Sequence, residues 1–218
     1  MSRDWELDMR VCFFGDSFVN GTGDDDGLGW VGRVVARARR GGGDLTGYNL
    51  GIRRDTSADV AARWLQEARL RLPAEHDGRL VFSFGANDCS SNGVDDRPRV
   101  ARAESLAHTE AILDAAHRWL PTLMIGPGAI ASDPEVSARV CALSADYAKV
   151  CERLGVPYLE VCHLTLAWPL WTQEAIAGDG AHPNRGGYAL LANAVSSWAP
   201  WRAWMDGLPG PRHRGDQA

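Results

Sequence analysis

The chain alternates short apolar runs with longer amphipathic stretches, the pattern of βαβ units around a parallel sheet covered on both faces. The apolar runs Val11 to Phe14, Thr46 to Leu50, Leu80 to Phe84, Leu123 to Ile125 and Tyr158 to Val161 read as strands. Between and after them, Leu28 to Arg40, Thr56 to Leu72, Val100 to Trp119, Pro134 to Leu154 and Asn184 to Trp198 read as helices, giving the order βαβαβαβαβα. The boundaries have local causes. Gly41-Gly42-Gly43 stops a helix, Gly155 followed by Pro157 supplies a C-terminal stop, and Asp133-Pro134 reads as an N-cap with proline in the first turn. The spacing of Trp198, Trp201 and Trp204 places three indoles on one face of a short helix, a packing feature.

With 218 residues and 45% hydrophobic content, the chain has ample material for one core. Residues 1–206 are expected to form a single domain, and 207–218, rich in Gly, Pro and Arg, a frayed tail. A formal charge of -5 argues against nucleic acid or an anionic membrane as the main partner, and the basic stretch Arg33 to Arg40 reads as a solvated helix C-terminus. The five cysteines, at 12, 89, 141, 151 and 162, form no C-x-x-C pair, and Cys12 and Cys162 fall in apolar runs that read as strands. Reduced, mostly buried thiols are therefore expected. Met1 to Asp8 carries three acids and no secretory apolar run, and no stretch could span a bilayer, so the expectation is a cytoplasmic protein. Met9 just ahead of the first strand is an alternative start.

In open parallel sheets ligands bind beyond the carboxyl ends of the strands, which directs attention to the residues that follow each run. These are Gly15-Asp16-Ser17, Gly51, Gly85-Ala86-Asn87-Asp88 and Gly126-Pro127-Gly128, with Asp179-Gly180-Ala181-His182-Pro183 before the last helix. A serine hydroxyl needs a base to take its proton, and the base needs a third group to fix its tautomer. Ser17, His182 and Asp179 suit those roles, since a single tight turn through Gly180 and Ala181 can aim Asp179 and His182 at one place. Acyl transfer also needs donors at the developing oxyanion, each worth roughly 3 kcal/mol of barrier. The N–H groups of Ser17 and Gly51 and the side-chain amide of Asn87 are the candidates.

Four of these blocks, Gly15-Asp16-Ser17, Gly51, Gly85-Ala86-Asn87-Asp88 and Asp179-Gly180-Ala181-His182-Pro183, in this order within residues 11 to about 198, resemble the SGNH hydrolase superfamily, the GDSL-type esterases and lipases. The resemblance implies a three-layer, flavodoxin-like α/β/α fold with strand order 2-1-3-4-5, no cofactor, and hydrolysis of esters or thioesters. The chain shows no departure from the motif residues themselves. The absence of a G-x-S-x-G elbow argues against the ordinary α/β-hydrolase fold.

Other polar residues have plainer readings. Asp16 is expected to organise the serine loop by accepting backbone N–H bonds, and Asp88 to organise its own loop. Asn184 is expected to cap the last helix, and Asp24-Asp25-Asp26 to be a solvated acidic loop near the rim. No histidine pair has metal-ligand spacing, so no metal is expected. Trp168, Trp171 and Ile176 could line an acyl chain or pack in the core. Short loops and no lid insertion favour a small-molecule ester with a short acyl or acetyl group. A thioesterase, a lysophospholipase, a carbohydrate deacetylase and a non-catalytic binding module stay open as alternatives, as does oligomeric state.

Overall fold

The computed structural model describes residues 8–95 and 97–208. The segment ahead of Asp8, on which the choice between Met1 and Met9 turns, and the expected tail beyond Leu208 lie outside the described residues. Strands β1 (Met9–Gly15), β2 (Leu45–Gly51), β3 (Asp77–Ser83), β4 (Thr122–Ile125) and β5 (Tyr158–Leu159) form a parallel sheet in the order β2-β1-β3-β4-β5, as expected. Because β1 lies between β2 and β3, with Gly15 opposite both Gly51 and Ser83, the residues that follow these three strands meet on one rim.

The chain steps from β1 outward to β2 and then back across to β3. Right-handed crossovers therefore put the first connecting helix and the later ones on opposite faces. On one face α2 (Gly29–Arg40) packs against α9 (Arg185–Ser197), and on the other α3 (Ser57–Arg71), α5 (Arg102–Trp119) and α6 (Pro134–Leu154) lie side by side. The sheet is thus buried from both sides, which is why β1 is a continuous apolar run. Adjacent residues show this directly. Phe13 meets Trp30 edge-on at 5.7 Å on the α2 face, whereas Phe14 stacks on Phe82 at 5.5 Å and Phe82 meets Trp64 of α3.

Four further helices are not evident from periodicity, α1 (Ser17–Asn20), α4 (Ala86–Cys89), α7 (Cys162–Ala167) and α8 (Pro169–Ala177), while α10 (Ala199–Asp206) is the short helix indicated by the tryptophan spacing. All are too short to show a helical period clearly. In α10, Trp201 is buried against Phe13 and Trp204 lies beneath Arg79, while Trp198 serves as the N-cap, so the tryptophan spacing is a packing feature. The last strand stops at Leu159 rather than Val161. The Glu160 carboxylate accepts the N–H of His163 and turns the chain into α7.

Cys162 consequently opens a helix, and it is disulfide-bonded to Cys141 of α6 across a separation of 21 residues. This corrects the expectation of reduced thiols for that pair. Spacing alone did not reveal the pair, because a helix turn and a strand end had to be brought together first. Cys12, Cys89 and Cys151 remain free and buried, and burial pushes each thiol up to about 12. Among the described residues no helix is long and apolar enough to cross a membrane.

Cross-linking a loop of this size should contribute about 3 kcal/mol, largely by restricting the unfolded chain. Urea denaturation with and without reductant, and of Cys141→Ala/Cys162→Ala, checks this. The oxidised protein should unfold at the higher midpoint, and identical midpoints would remove the assignment.

Candidate active site

The rim is built from the β1 end upward. Asp16 caps α1, its Oδ1 accepting the N–H of Phe18 at 2.9 Å, and so fixes the sharp exit that makes Ser17 the first helical residue. This matches the backbone-organising role expected of Asp16. The carboxyl is buried and its pKa is raised to about 7. Loss of hydration is the largest cause, opposed by the Phe18 N–H and reinforced by the charges of Asp88 and Asp55.

His182 reaches the same point from the far end of the chain, its Nε2 standing 2.7 Å from Ser17 Oγ. Its Nδ1 lies 2.7 Å from Asp179 Oδ2, and since a carboxylate only accepts, Nδ1 carries the hydrogen and Nε2 is left to accept from the serine. Asp179 Oδ1 also accepts the N–H groups of Ala181 at 3.0 Å and His182 at 2.9 Å. Partial burial works against its charge, but the His182 N–H and imidazole and the Ala181 N–H outweigh that and hold the carboxyl down at about 2. Gly180 makes the turn possible. Its φ of +87° is left-handed, and a Cβ there would lie 2.5 Å from Ser132 Oγ.

Two elements hold this loop against Ser17. Asn184 caps α9 as expected and exchanges two hydrogen bonds with Asp25, through the Asp25 N–H at 3.1 Å and the Asp25 carboxylate at 2.7 Å. Asp24 departs from the expected solvated loop. It is buried, accepts the N–H groups of Leu28 and Gly29 at the start of α2, and pairs with Arg33. Arg33 is therefore tied down by Asp24 and Asp26 rather than part of a solvated basic end.

On the other side of Ser17, Asn87 lies in α4 and its Nδ2 donates to the Asp55 carbonyl at 3.0 Å, leaving one amide hydrogen uncommitted by that bond. The N–H of Gly51 donates to Asn49 Oδ1 at 3.1 Å, so one of the three expected oxyanion donors is engaged within its own loop. Gly51 is instead a point of close approach, where a Cβ would stand 2.2 Å from the Asn20 nitrogen. Three residues on, Arg54 holds a φ of 72°, the one left-handed residue other than glycine among the described residues, and its carbonyl accepts from Arg99 at 2.8 Å. Such strain collects at functional rims.

Arg63 was not singled out from sequence. Its guanidinium donates to the carbonyls of Gly15 at 3.1 Å and Leu50 at 2.9 Å and to Asp55 Oδ2 at 2.7 Å, beneath the rim. Sequence could offer only its place on α3. Of the residues considered for an acyl wall, Trp171 is buried and stacked on Phe18, whose ring centroid lies 4.9 Å from that of His182, while Ile176 is exposed. Trp171 is core.

Residues 13–190 match the model of the GDSL-like Lipase/Acylhydrolase family. Among solved structures, the chain is similar to the lipase/acylhydrolase from Enterococcus faecalis, with a TM-score of 0.70 and 22% identity over 94% of this chain and 100% of that one. It is similar to Axe2, an acetylxylan esterase from Geobacillus stearothermophilus, with a TM-score of 0.69 and 18% identity over 94% of this chain and 97% of that one. A member of the lipolytic protein G-D-S-L family from Veillonella parvula gives a TM-score of 0.70 and 18% identity over 86% of this chain and 96% of that one. At such identities the likeness is one of fold. No curated protein matches the chain.

The raised pKa of Asp16 has a defined consequence for stability. Between the unfolded value of 3.8 and the folded value of about 7, the folded protein retains a proton that the unfolded chain has released. Stability from this group is full below the lower value and is lost as pH rises through the upper one. Asp16→Asn should flatten that decline, as read from denaturant midpoints between about pH 4 and about pH 8. A variant that declines as steeply as wild type would place the effect elsewhere.

Proposed function

The chain belongs to the GDSL-like lipase/acylhydrolase family and is an ester hydrolase, and we propose that Ser17 is its nucleophile, His182 its general base and acid, and Asp179 the group that orients the imidazole. The observation that carries this reading is the unbroken hydrogen-bonded chain from Ser17 Oγ through both imidazole nitrogens to Asp179, each link 2.7 Å. In the proposed cycle His182 Nε2 takes the serine proton as Oγ attacks the ester carbonyl. The tetrahedral oxyanion is held by the Ser17 N–H and the Asn87 amide. The Gly51 N–H joins them on exchanging its bond to Asn49. His182 then protonates the leaving alcohol, and a water deprotonated by the same imidazole cleaves the acyl-enzyme. No cofactor or metal takes part.

A short acyl group, such as acetyl, is the substrate class best supported. Phe18 and Trp171 are packed on each other next to His182, which supports a filled wall rather than a long acyl groove. An acetylxylan esterase shares the fold. Thioester and lysophospholipid hydrolysis use the same groups and are separated from this reading by substrate profile. The same reading treats residues 1–206 as one catalytic domain acting on a small-molecule ester.

Ser17→Ala should lose roughly 10^4 to 10^6 in kcat on p-nitrophenyl acetate, and a fluorophosphonate should label wild type at Ser17. Activity within about tenfold of wild type in that variant would overturn the nucleophile assignment. Across acetate, butyrate, octanoate and palmitate esters, kcat/KM should fall with chain length, and a rise toward palmitate would overturn the short-acyl reading. Asn87→Ala should cost about 10^2 to 10^3 in kcat with a small change in KM.

A further inference from the structure

The residue after Asn87 carries a second, buried carboxylate that the proposed cycle does not use. Asp88 is 1% exposed, and both its oxygens face protein donors. Oδ1 accepts the N–H of Ser57, the first residue of α3, at 2.8 Å. Oδ2 accepts the hydroxyl of Ser105 in α5, which in turn meets the Tyr147 hydroxyl of α6 at 2.6 Å. The Asp88 carbonyl accepts the N–H of Val100, closing the loop that leads into α5. Three helices of one layer thus converge on a single side chain.

Its place at the start of α3 is physically favourable, because the first N–H groups of a helix have no partner inside it and the helix dipole favours negative charge there. The consequence reaches the rim. Ser57 lies two residues beyond Asp55, and the Asp55 carbonyl is the acceptor that holds the Asn87 amide. Residues 87 and 88 are therefore tied to residues 55 and 57 by two bonds of opposite sense. Asn87 donates to one end of the segment, and Asp88 accepts from the other. A single tie would let the amide follow a shifting carbonyl, whereas two ties hold loop and amide as one body.

We propose that Asp88 is a positioning residue for the oxyanion site: by clamping the start of α3 to the Asn87 turn it sets the Asp55 carbonyl, and through it the direction of the second N–H of the Asn87 amide. The inference rests on the proposed role of Asn87. It requires a carboxylate rather than any polar side chain, since Ser105 donates to Asp88 while sharing a hydrogen bond with Tyr147, and an amide nitrogen in place of Oδ2 would force that chain to reverse.

A double-mutant cycle between the two residues tests it, with kcat and KM on p-nitrophenyl acetate normalised to active sites by fluorophosphonate titration. Asp88→Ala alone should lower kcat by about 10- to 100-fold with KM within about threefold, a fraction of what a lost oxyanion donor costs. In the Asn87→Ala background the same substitution should cost less than about twofold, because the group it positions is gone. Asp88→Asn, which keeps an oxygen for the Ser57 N–H, should recover part of the loss. Equal losses in both backgrounds would overturn the inference and leave Asp88 a support of the fold, as would wild-type kcat in Asp88→Ala. Should Asp88→Ala not fold, Ser105→Ala takes its place in the cycle, with a few-fold loss expected that vanishes beside Asn87→Ala. An active Ser17→Ala variant would instead overturn the serine mechanism, and an unaffected Asn87→Ala the oxyanion role. Equal losses in an enzyme sensitive to both substitutions count against Asp88 alone.

Discussion

The ends of β1 and β2 are locked to each other and to the loop beyond them by one guanidinium. Arg63 donates to the last-turn carbonyls at Gly15 and Leu50 while its Nε binds the Asp55 carboxylate. A planar, rigid fork suits this task in a way an ammonium would not, since it can serve two carbonyls and a carboxylate at fixed angles. Charge-assisted hydrogen bonds of this kind are worth about 1.5 to 3 kcal/mol each where they are shielded from water. Everything the site needs from the left half of the rim follows from that lock. Gly15 leads into Asp16 and Ser17, Leu50 into Gly51, and Asp55 offers the carbonyl that holds Asn87.

Beneath the same rim lie three carboxylates, each committed to a different donor. Asp16 caps α1, Asp55 faces Arg63, and Asp88 faces Ser57 and Ser105. Their mutual repulsion is one reason Asp16 holds its proton so far above the ordinary carboxylate range, after the larger effect of burial. The arrangement shows how a fold can place negative groups beneath a nucleophile without placing free charge beside it. Among the described residues, Asp179, half-exposed and bound to His182, is the one that presents a carboxylate to the reacting pair.

The right half of the rim is held by contacts between distant segments. His182 meets Ser17 across a sequence separation of 165, and the imidazole is kept there by the Asp25–Asn184 pair and by the Gly180 carbonyl, which accepts from Ser132. The Cys141–Cys162 bond fastens the start of α7 to α6, and the Asp179 loop follows two short helices later. The loop that leaves Ser17 thus also holds the histidine segment, through Asp25 on Asn184 and through the Thr22 carbonyl, which accepts from the Tyr188 hydroxyl at 2.7 Å.

Much of this was legible in the amino-acid order. Continuous apolar runs such as Val11 to Phe14 identify strands buried on both faces, and Asp133-Pro134, Gly155 and Asn184 mark helix ends because capping is decided by residues next to one another. The rim residues could be named because strand ends share an edge in any parallel sheet. Short elements were not legible, since α1 and α4 span a single turn and carry no period. Tertiary structure alone decided which groups are occupied. It paired Cys141 with Cys162, buried Asp24 against Arg33, engaged the Gly51 N–H with Asn49 and set Asp88 on Ser57 and Ser105. Sequence determines local conformation and the order in which chemistry arrives at the rim. Which donor meets which acceptor depends on distances of a few ångströms, and for most of these pairs on segments far apart in the chain, set only once the layers have packed.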